Sequence, residues 1–177
     1  SRHLGRVRAI EGFHREFYSP PSADADQGAQ VAGTGVRVLG GKGEATVIPT
    51  GQRIPACSAA LVNGTLAHAL DYDDRSGFGH SASILLSTLL ALAEKTGASG
   101  RDVVEAYVIG HEVGEVLRPR RASTDETSFH RMGVSGRLGA TAACAKLLKL
   151  DQKQVQMALG IAGSMASGLS VIIGVFC

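Results

Sequence analysis

Ser83-Ile84-Leu85-Leu86-Ser87-Thr88-Leu89-Leu90-Ala91-Leu92-Ala93-Glu94-Lys95, followed by Thr96 and Gly97, is the stretch that decides the fold. Ile84, Leu85, Leu89 and Leu92 recur at helical spacing, and Gly97 stands where a helix C-terminus favours glycine. Upstream, Pro55 suits a first helical position, and Ala56 to Leu70 contains few breakers, which predicts a helix there. Downstream, a third helix is expected after Ser99, with Arg101-Asp102 in its first turn, ending at Leu117 before Pro119. Its apolar stripe is Val103, Ala106, Val113 and Leu117, with Tyr107 beside them. Arg118 to Thr127 reads as a charged loop, Ser135 to Leu148 as a fourth helix, and Asp151 as the N-cap of a fifth. The links are short and no alternating pattern competes. The prediction is an all-α fold.

The chain has 177 residues, 44% hydrophobic and 19% charged. That suits one domain or a piece of a larger one, and excludes a disordered chain. A net charge of +2 gives no footprint for nucleic acid. Aromatics make up 5% and glycines number 23, so the core must be built from small aliphatic side chains on closely packed helices. Two small-residue ladders fit this: Gly110 with Gly114, and Gly160 with Ser164 and Gly168. Three cysteines without metal-site spacing argue against a disulfide framework and a zinc site, and Cys57 and Cys144 read as small buried helix residues. Ser1 to Arg15 has no apolar run of a signal peptide, so the expected compartment is reducing and cytoplasmic. Val155 to Cys177 lacks charge and is long enough to span a bilayer, but its glycines and serines and the missing flanking anchors favour a buried helix over a membrane span.

Residues 1–50 read differently from the rest. Pro20-Pro21-Ser22 and the small, acidic stretch after it predict loop, and Ala45 to Ile48 a short extended segment ended by Pro49. Gly33-Thr34-Gly35 and Gly40-Gly41-Lys42 fail as a phosphate loop, since Val36 and Gly43 occupy two required positions. His111-Glu112 lacks the second histidine of a zinc-protease helix.

The chemistry concentrates in Asn63-Gly64-Thr65-Leu66-Ala67-His68-Ala69-Leu70-Asp71-Tyr72-Asp73-Asp74 and in Gly79-His80-Ser81-Ala82-Ser83. Three carboxylates crowd a helix C-terminus, where the helix dipole disfavours negative charge. Such a broken rule marks a functional site or, equally, a solvated acidic turn or a pairing of Asp73 and Asp74 with a nearby arginine. His80 precedes the second helix, and His130, in Ser128-Phe129-His130-Arg131-Met132-Gly133, precedes the fourth. Helix N-termini favour anions and neutral imidazoles, so both histidines suit acid/base work on a carboxylate-bearing substrate. His68, three residues before Asp71, is placed to hydrogen-bond it. His3 and His14 have no such context.

These segments, with Gly97 through Gly110 and His130 through Leu159, resemble the MmgE/PrpD family, whose members include 2-methylcitrate dehydratase, cis-aconitate decarboxylase and iminodisuccinate epimerase. The resemblance covers about residues 43–169. It implies an incomplete large helical domain over 43–177, an atypical, loop-rich segment over 1–42, and no lid domain. It also implies a homodimer and proton chemistry beside a carboxylate, without metal or cofactor. Asp71, His80 and His130 match the family's active-site positions, with Arg75, Arg131 and His68 as substrate contacts.

Departures accompany the match. Arg75 stands where many members have Thr, the turn before His80 is shortened, and Ser81 and Arg131 follow the two histidines in place of Pro or a similar residue. After Leu169 the sequence lacks the family's Lys-Pro segment with its active-site Lys. The implied activity is dehydration of a methylcitrate-like tricarboxylate in propionate metabolism. The alternatives are decarboxylation of cis-aconitate, epimerisation of iminodisuccinate, and an inactive fragment serving as a helical interaction module. Unpartnered apolar helix faces predict self-association.

Overall fold

A computed structural model describes residues 41–75, 78–118 and 129–169. The expectations for residues 1–40, for most of the charged loop after Arg118 and for the chain beyond Leu169 lie outside the described residues. The described chain is mostly helical: a hairpin of β1 (Ala45–Val47) and β2 (Gln52–Ile54), then α1 (Ala56–His68), α2 (Ser81–Thr96), α3 (Gly100–Val116), α4 (Arg137–Leu147) and α5 (Gln152–Met165). A π-helical turn, Met132–Gly136, leads into α4.

Among the described residues the hairpin is the main departure from an all-helical reading. The extended segment expected at Ala45 acquires an antiparallel partner, with Ala45 opposite Ile54 and Val47 opposite Gln52. Ile54 therefore closes a strand instead of opening a helix, and Pro55 takes the N-cap position of α1. Gly51, at φ +69°, turns the chain between the strands, a conformation glycine adopts without strain. A two-stranded hairpin is marginal alone, so its anchors matter. Asn63, 1% exposed, accepts from the Ile48 N–H at 3.0 Å and donates to the Thr46 carbonyl at 2.9 Å. Glu94 on α2 accepts from Thr46 Oγ1 at 2.7 Å and from Arg53 at 3.2 Å. One buried amide and one half-exposed carboxylate thus tie the sheet to two helices. Ala45, Val47, Ile54, Ala59, Val62 and Ala91 fill the space between them.

A second core lies among α2, α3 and α4: Phe78, Leu85, Leu89, Val103, Ala106, Ala143 and Leu147. Because these side chains are small, the backbones must approach closely. At Gly139 an added Cβ would stand 2.5 Å from the Gly110 carbonyl oxygen, and at Gly110 one would stand 2.7 Å from Ala143 Cβ. The Gly110–Gly114 ladder is therefore a helix-crossing surface, with Phe78 against Gly114. The second ladder behaves differently. Nothing lies within 4 Å of a Cβ built on Gly160 or Gly163, and α5 buries only Ala162.

The caps follow the sequence closely. Ser99 and Asp102 form a capping box at α3, Asp151 and Gln154 another at α5, and Gly97 ends α2 in the left-handed conformation at φ +71°. Of the stripe expected on α3, Val103 and Ala106 are buried while Leu117 is 43% exposed, its place in the contact taken by Gly110 and Gly114. Among the described residues no helix is long and apolar enough to cross a membrane.

Candidate functional site

The site forms where α1 ends and α2 begins. At Gly64 an added Cβ would stand 2.8 Å from the Ser83 carbonyl oxygen, so glycine lets the two helices cross in direct backbone contact four residues before His68. After His68 the chain turns back on itself. Asp71 N–H donates to the His68 carbonyl at 3.1 Å, and Asp71 itself takes φ +55°, a left-handed conformation that aspartate tolerates better than most side chains. The turn folds the acidic segment over the helix end and sends Asp73 inward.

Asp73 is the residue around which the site is organised. Its side chain is 6% exposed, and its Oδ1 lies 3.0 Å from His68 Nδ1 and 3.0 Å from His80 Nδ1. The His68 contact is an aligned hydrogen bond. The His80 contact has the distance of one without the alignment, and Asp73 Oδ2 is buried without a hydrogen-bond partner. Asp71, 75% exposed at its side chain, reaches His80 Nε2 at 3.3 Å and His68 Nδ1 at 3.9 Å. The expected His68–Asp71 bond is thus displaced: the turn at Asp71 presents Asp73 to His68 at the shorter distance. The two imidazole rings stand 4.6 Å apart at 54° to one another.

Asp74 has a separate task. It accepts from the Ala82 N–H and from Ser81 Oγ, each at 2.7 Å, so it caps α2. Ser81, fully buried, also meets Tyr107 Oη at 3.1 Å, and the Tyr107 phenol is pushed up, chiefly by burial. Asp73 and Asp74 are therefore not a solvated turn, and at the N-terminus of α2 the Ala82 N–H is taken by the chain's own carboxylate.

His130 enters from the other side. Its N–H donates to the Gly168 carbonyl at 2.7 Å, which with the Phe129–Leu169 bridge ties the entry of α4 to the chain after α5. Burial, then the fields of Arg131 and His68, hold its imidazole below the ordinary value of 6.5. His130 therefore stays neutral at neutral pH, within electrostatic reach of His68. Arg75 and Arg131 are exposed.

An open groove of about 800 Å³ runs beside the cluster, lined by His68, Asp71, Leu61, Ile84, Met132 and Cys57 among others. Cys57 is exposed on α1, contrary to the buried position expected for it. Cys144 is partly buried, and burial pushes its thiol up to about 11. Sequence reasoning missed Asp73 as a functional group and missed the groove. The signal available for Asp73 was its place just past a helix end that already carried His68.

The sequence profile of the MmgE/PrpD N-terminal domain matches residues 21–173. The chain belongs to the MmgE/PrpD family. The match starts well before the stretch in which the resemblance was legible by eye. Among curated members of this family, the chain is 37% identical over 121 residues to the human cis-aconitate decarboxylase, covering 64% of this chain and 25% of that protein. It is 35% identical over 139 residues to the cis-aconitate decarboxylase-like protein oryM of Aspergillus oryzae, covering 72% and 29%. To the cis-aconitate decarboxylase of Aspergillus terreus it is 32% identical over 136 residues, covering 72% and 28%. The chain thus spans less than a third of the length of these MmgE/PrpD relatives.

Proposed function

We propose that this chain carries the acid/base face of a lyase acting on a small tricarboxylate, of the cis-aconitate decarboxylase type. The observation that supports it is the pair of histidines flanked by Asp71 and Asp73, a cluster of which His68 and Asp71 line an open groove. Similarity to cis-aconitate decarboxylases favours decarboxylation over the methylcitrate dehydration inferred first. The chemistry asks for little. Loss of CO2 from a carbon next to a C=C bond breaks one C–C bond, shifts its electron pair through the double bond, and requires one proton at the far carbon.

His80 is the group assigned to deliver that proton. Asp73 beside Nδ1 compensates its charge as the proton moves, the part an aspartate plays beside a catalytic histidine, and the exposed Asp71 yields Nε2 to the substrate. His130 is assigned as a second proton acceptor or hydrogen-bond partner, because its imidazole stays neutral. Asp71 orients His80. His68, tied through Nδ1, offers Nε2 to the substrate, and the exposed guanidinium groups of Arg75 and Arg131 are the candidate carboxylate contacts. Assembly as a homodimer belongs to the same proposal, and sedimentation tests it.

The decisive experiment offers cis-aconitate, 2-methylcitrate and iminodisuccinate to a protein extended to the length of its relatives, with and without His80→Ala. CO2 release from cis-aconitate is expected, with the rate falling about 10²- to 10⁴-fold in the variant. An unchanged rate in His80→Ala sinks the assignment, and turnover of 2-methylcitrate alone restores the dehydratase.

A further inference from the structure

We propose that His68, Asp71, Asp73 and His80 form an inhibitory site for a borderline divalent ion such as Zn²⁺ or Co²⁺; the inhibition, though not the binding, rests on His80 being the proton carrier. Each residue offers one ligand atom, and these atoms all lie within 4.8 Å of one another. Zinc sits about 2.0–2.2 Å from imidazole nitrogen and carboxylate oxygen, so tetrahedral neighbours stand roughly 3.3 Å apart. Here His68 Nδ1 stands 3.0 Å from Asp73 and 3.9 Å from Asp71, and His80, which gives one ion only one of its nitrogens, stands 3.0 Å from Asp73 through Nδ1 or 3.3 Å from Asp71 through Nε2. A modest adjustment of side chains places four donors around one point.

A second observation is independent of those distances. Asp73 has a side chain only 6% exposed, yet its Oδ2 lacks any hydrogen-bond partner. A buried carboxylate oxygen left without a donor is costly unless a cation or a proton answers it. The His80 Nδ1 atom faces Asp73 Oδ1 at 3.0 Å without the alignment of a hydrogen bond. Atoms that converge on a shared centre, and not on each other, have this relation. The surroundings also hold the ligands in place. Asp74 clamps Ser81 and Ala82 beside His80, and the His80 carbonyl accepts from Ser83 Oγ at 2.9 Å.

The donor set selects the class of ion. Two imidazoles with two carboxylates suit zinc, cobalt and their neighbours, whereas magnesium and calcium prefer an all-oxygen shell. The cysteine spacing that argued against zinc in the sequence has no bearing on this set. An ion held here would engage His80 and the carboxylates that compensate its charge in the proposed reaction, and so would block it.

The test titrates the 177-residue chain with Co²⁺ alone and follows its visible ligand-field absorption. Helical circular dichroism serves as the folding control for every variant. One ion per chain is expected, displaced by Zn²⁺ and indifferent to excess Mg²⁺. Affinity should fall at least about tenfold in His80→Ala and in Asp73→Asn, which keeps the shape of the side chain. It should survive in Cys57→Ser, since that thiol lines the same groove. Absence of uptake, equal uptake in folded His80→Ala, or loss in Cys57→Ser overturns the site. In the protein extended to the length of its relatives, Zn²⁺ should abolish turnover and a chelator should restore it. Binding without inhibition would refute the inhibitory part, and activity that survives His80→Ala would refute the proton assignment while leaving the metal site intact.

Discussion

The crossing of α3 over α4 and the outer face of α5 are built from similar small residues and end in opposite states. At the crossing, Gly110 and Gly139 bring two backbones together, and Leu85, Ala106 and Ala143 seal the contact. On α5, Gly160 and Gly163 face open space, and Met157, Ile161 and Met165 are each about 60% exposed. Small residues at four-residue spacing permit close approach but do not bring a partner. What separates the two regions is the presence of a complementary surface, and each prediction below perturbs that difference.

The largest contrast should be in thiol chemistry. Cys144 lies partly buried on α4 with its thiol pushed up to about 11, so at pH 8 only about 0.1% of it is thiolate. Cys57 lies exposed on the open side of α1. Iodoacetamide at pH 8 should modify Cys57 first and Cys144 at least about a hundredfold more slowly, as read by peptide mass mapping. Comparable rates would mean that α4 opens readily and that its packing is looser than described.

The same substitution in the two regions should carry opposite signs. Gly139→Ala puts a methyl group against the Gly110 carbonyl, where backbone must move, and is expected to cost about 1–3 kcal/mol in urea unfolding. Gly160→Ala meets nothing and removes the entropy cost of a helical glycine, so it should stabilise by about 0.5–1 kcal/mol. If Gly160→Ala destabilises instead, something covers that face in solution.

How much of this was legible in the sequence follows the same division. Helix positions and caps depend on neighbouring residues, and the helix start after Ser99, the N-cap at Asp151 and the stop at Gly97 could be read directly, while the reciprocal bonds of Asp102 and Gln154 emerged from the structure. That His80 would stand at the head of α2 followed from the same signals. What could not be read depends on where the backbone points a side chain. Asp73 and Asp71 are both acids past a helix end, and only the left-handed turn at Asp71 decides that one is buried against two histidines while the other is largely exposed. The hairpin was hidden for a related reason: β2 has three residues, too few for a pattern, and it exists because Ala45–Val47 pairs with it and Glu94 holds Arg53. Gly160 and Gly110 each stand one turn before another small residue, so that spacing does not distinguish them and tertiary packing does.

The smallest effect expected is the one at the seam between the regions. His130 lies beside the acid/base cluster, yet its backbone holds Gly168, just past α5. Its imidazole is held below 6.5 by burial first, then by Arg131 and His68. The sign follows from proton counting. A histidine that resists protonation in the folded state leaves the unfolded chain holding more protons near and below pH 6.5, so its contribution is intact above that pH and is lost as pH falls through the folded value. Because the side chain is partly exposed, the loss should be modest. Urea midpoints should decline between pH 7 and about pH 5.5, and His130→Gln should flatten part of that decline without altering the midpoint at pH 8. A proton NMR titration that finds the His130 midpoint above 6.5 would reverse the sign. It would mean that an acidic partner reaches His130 in solution, and that the neutral role given to it beside His80 is mistaken.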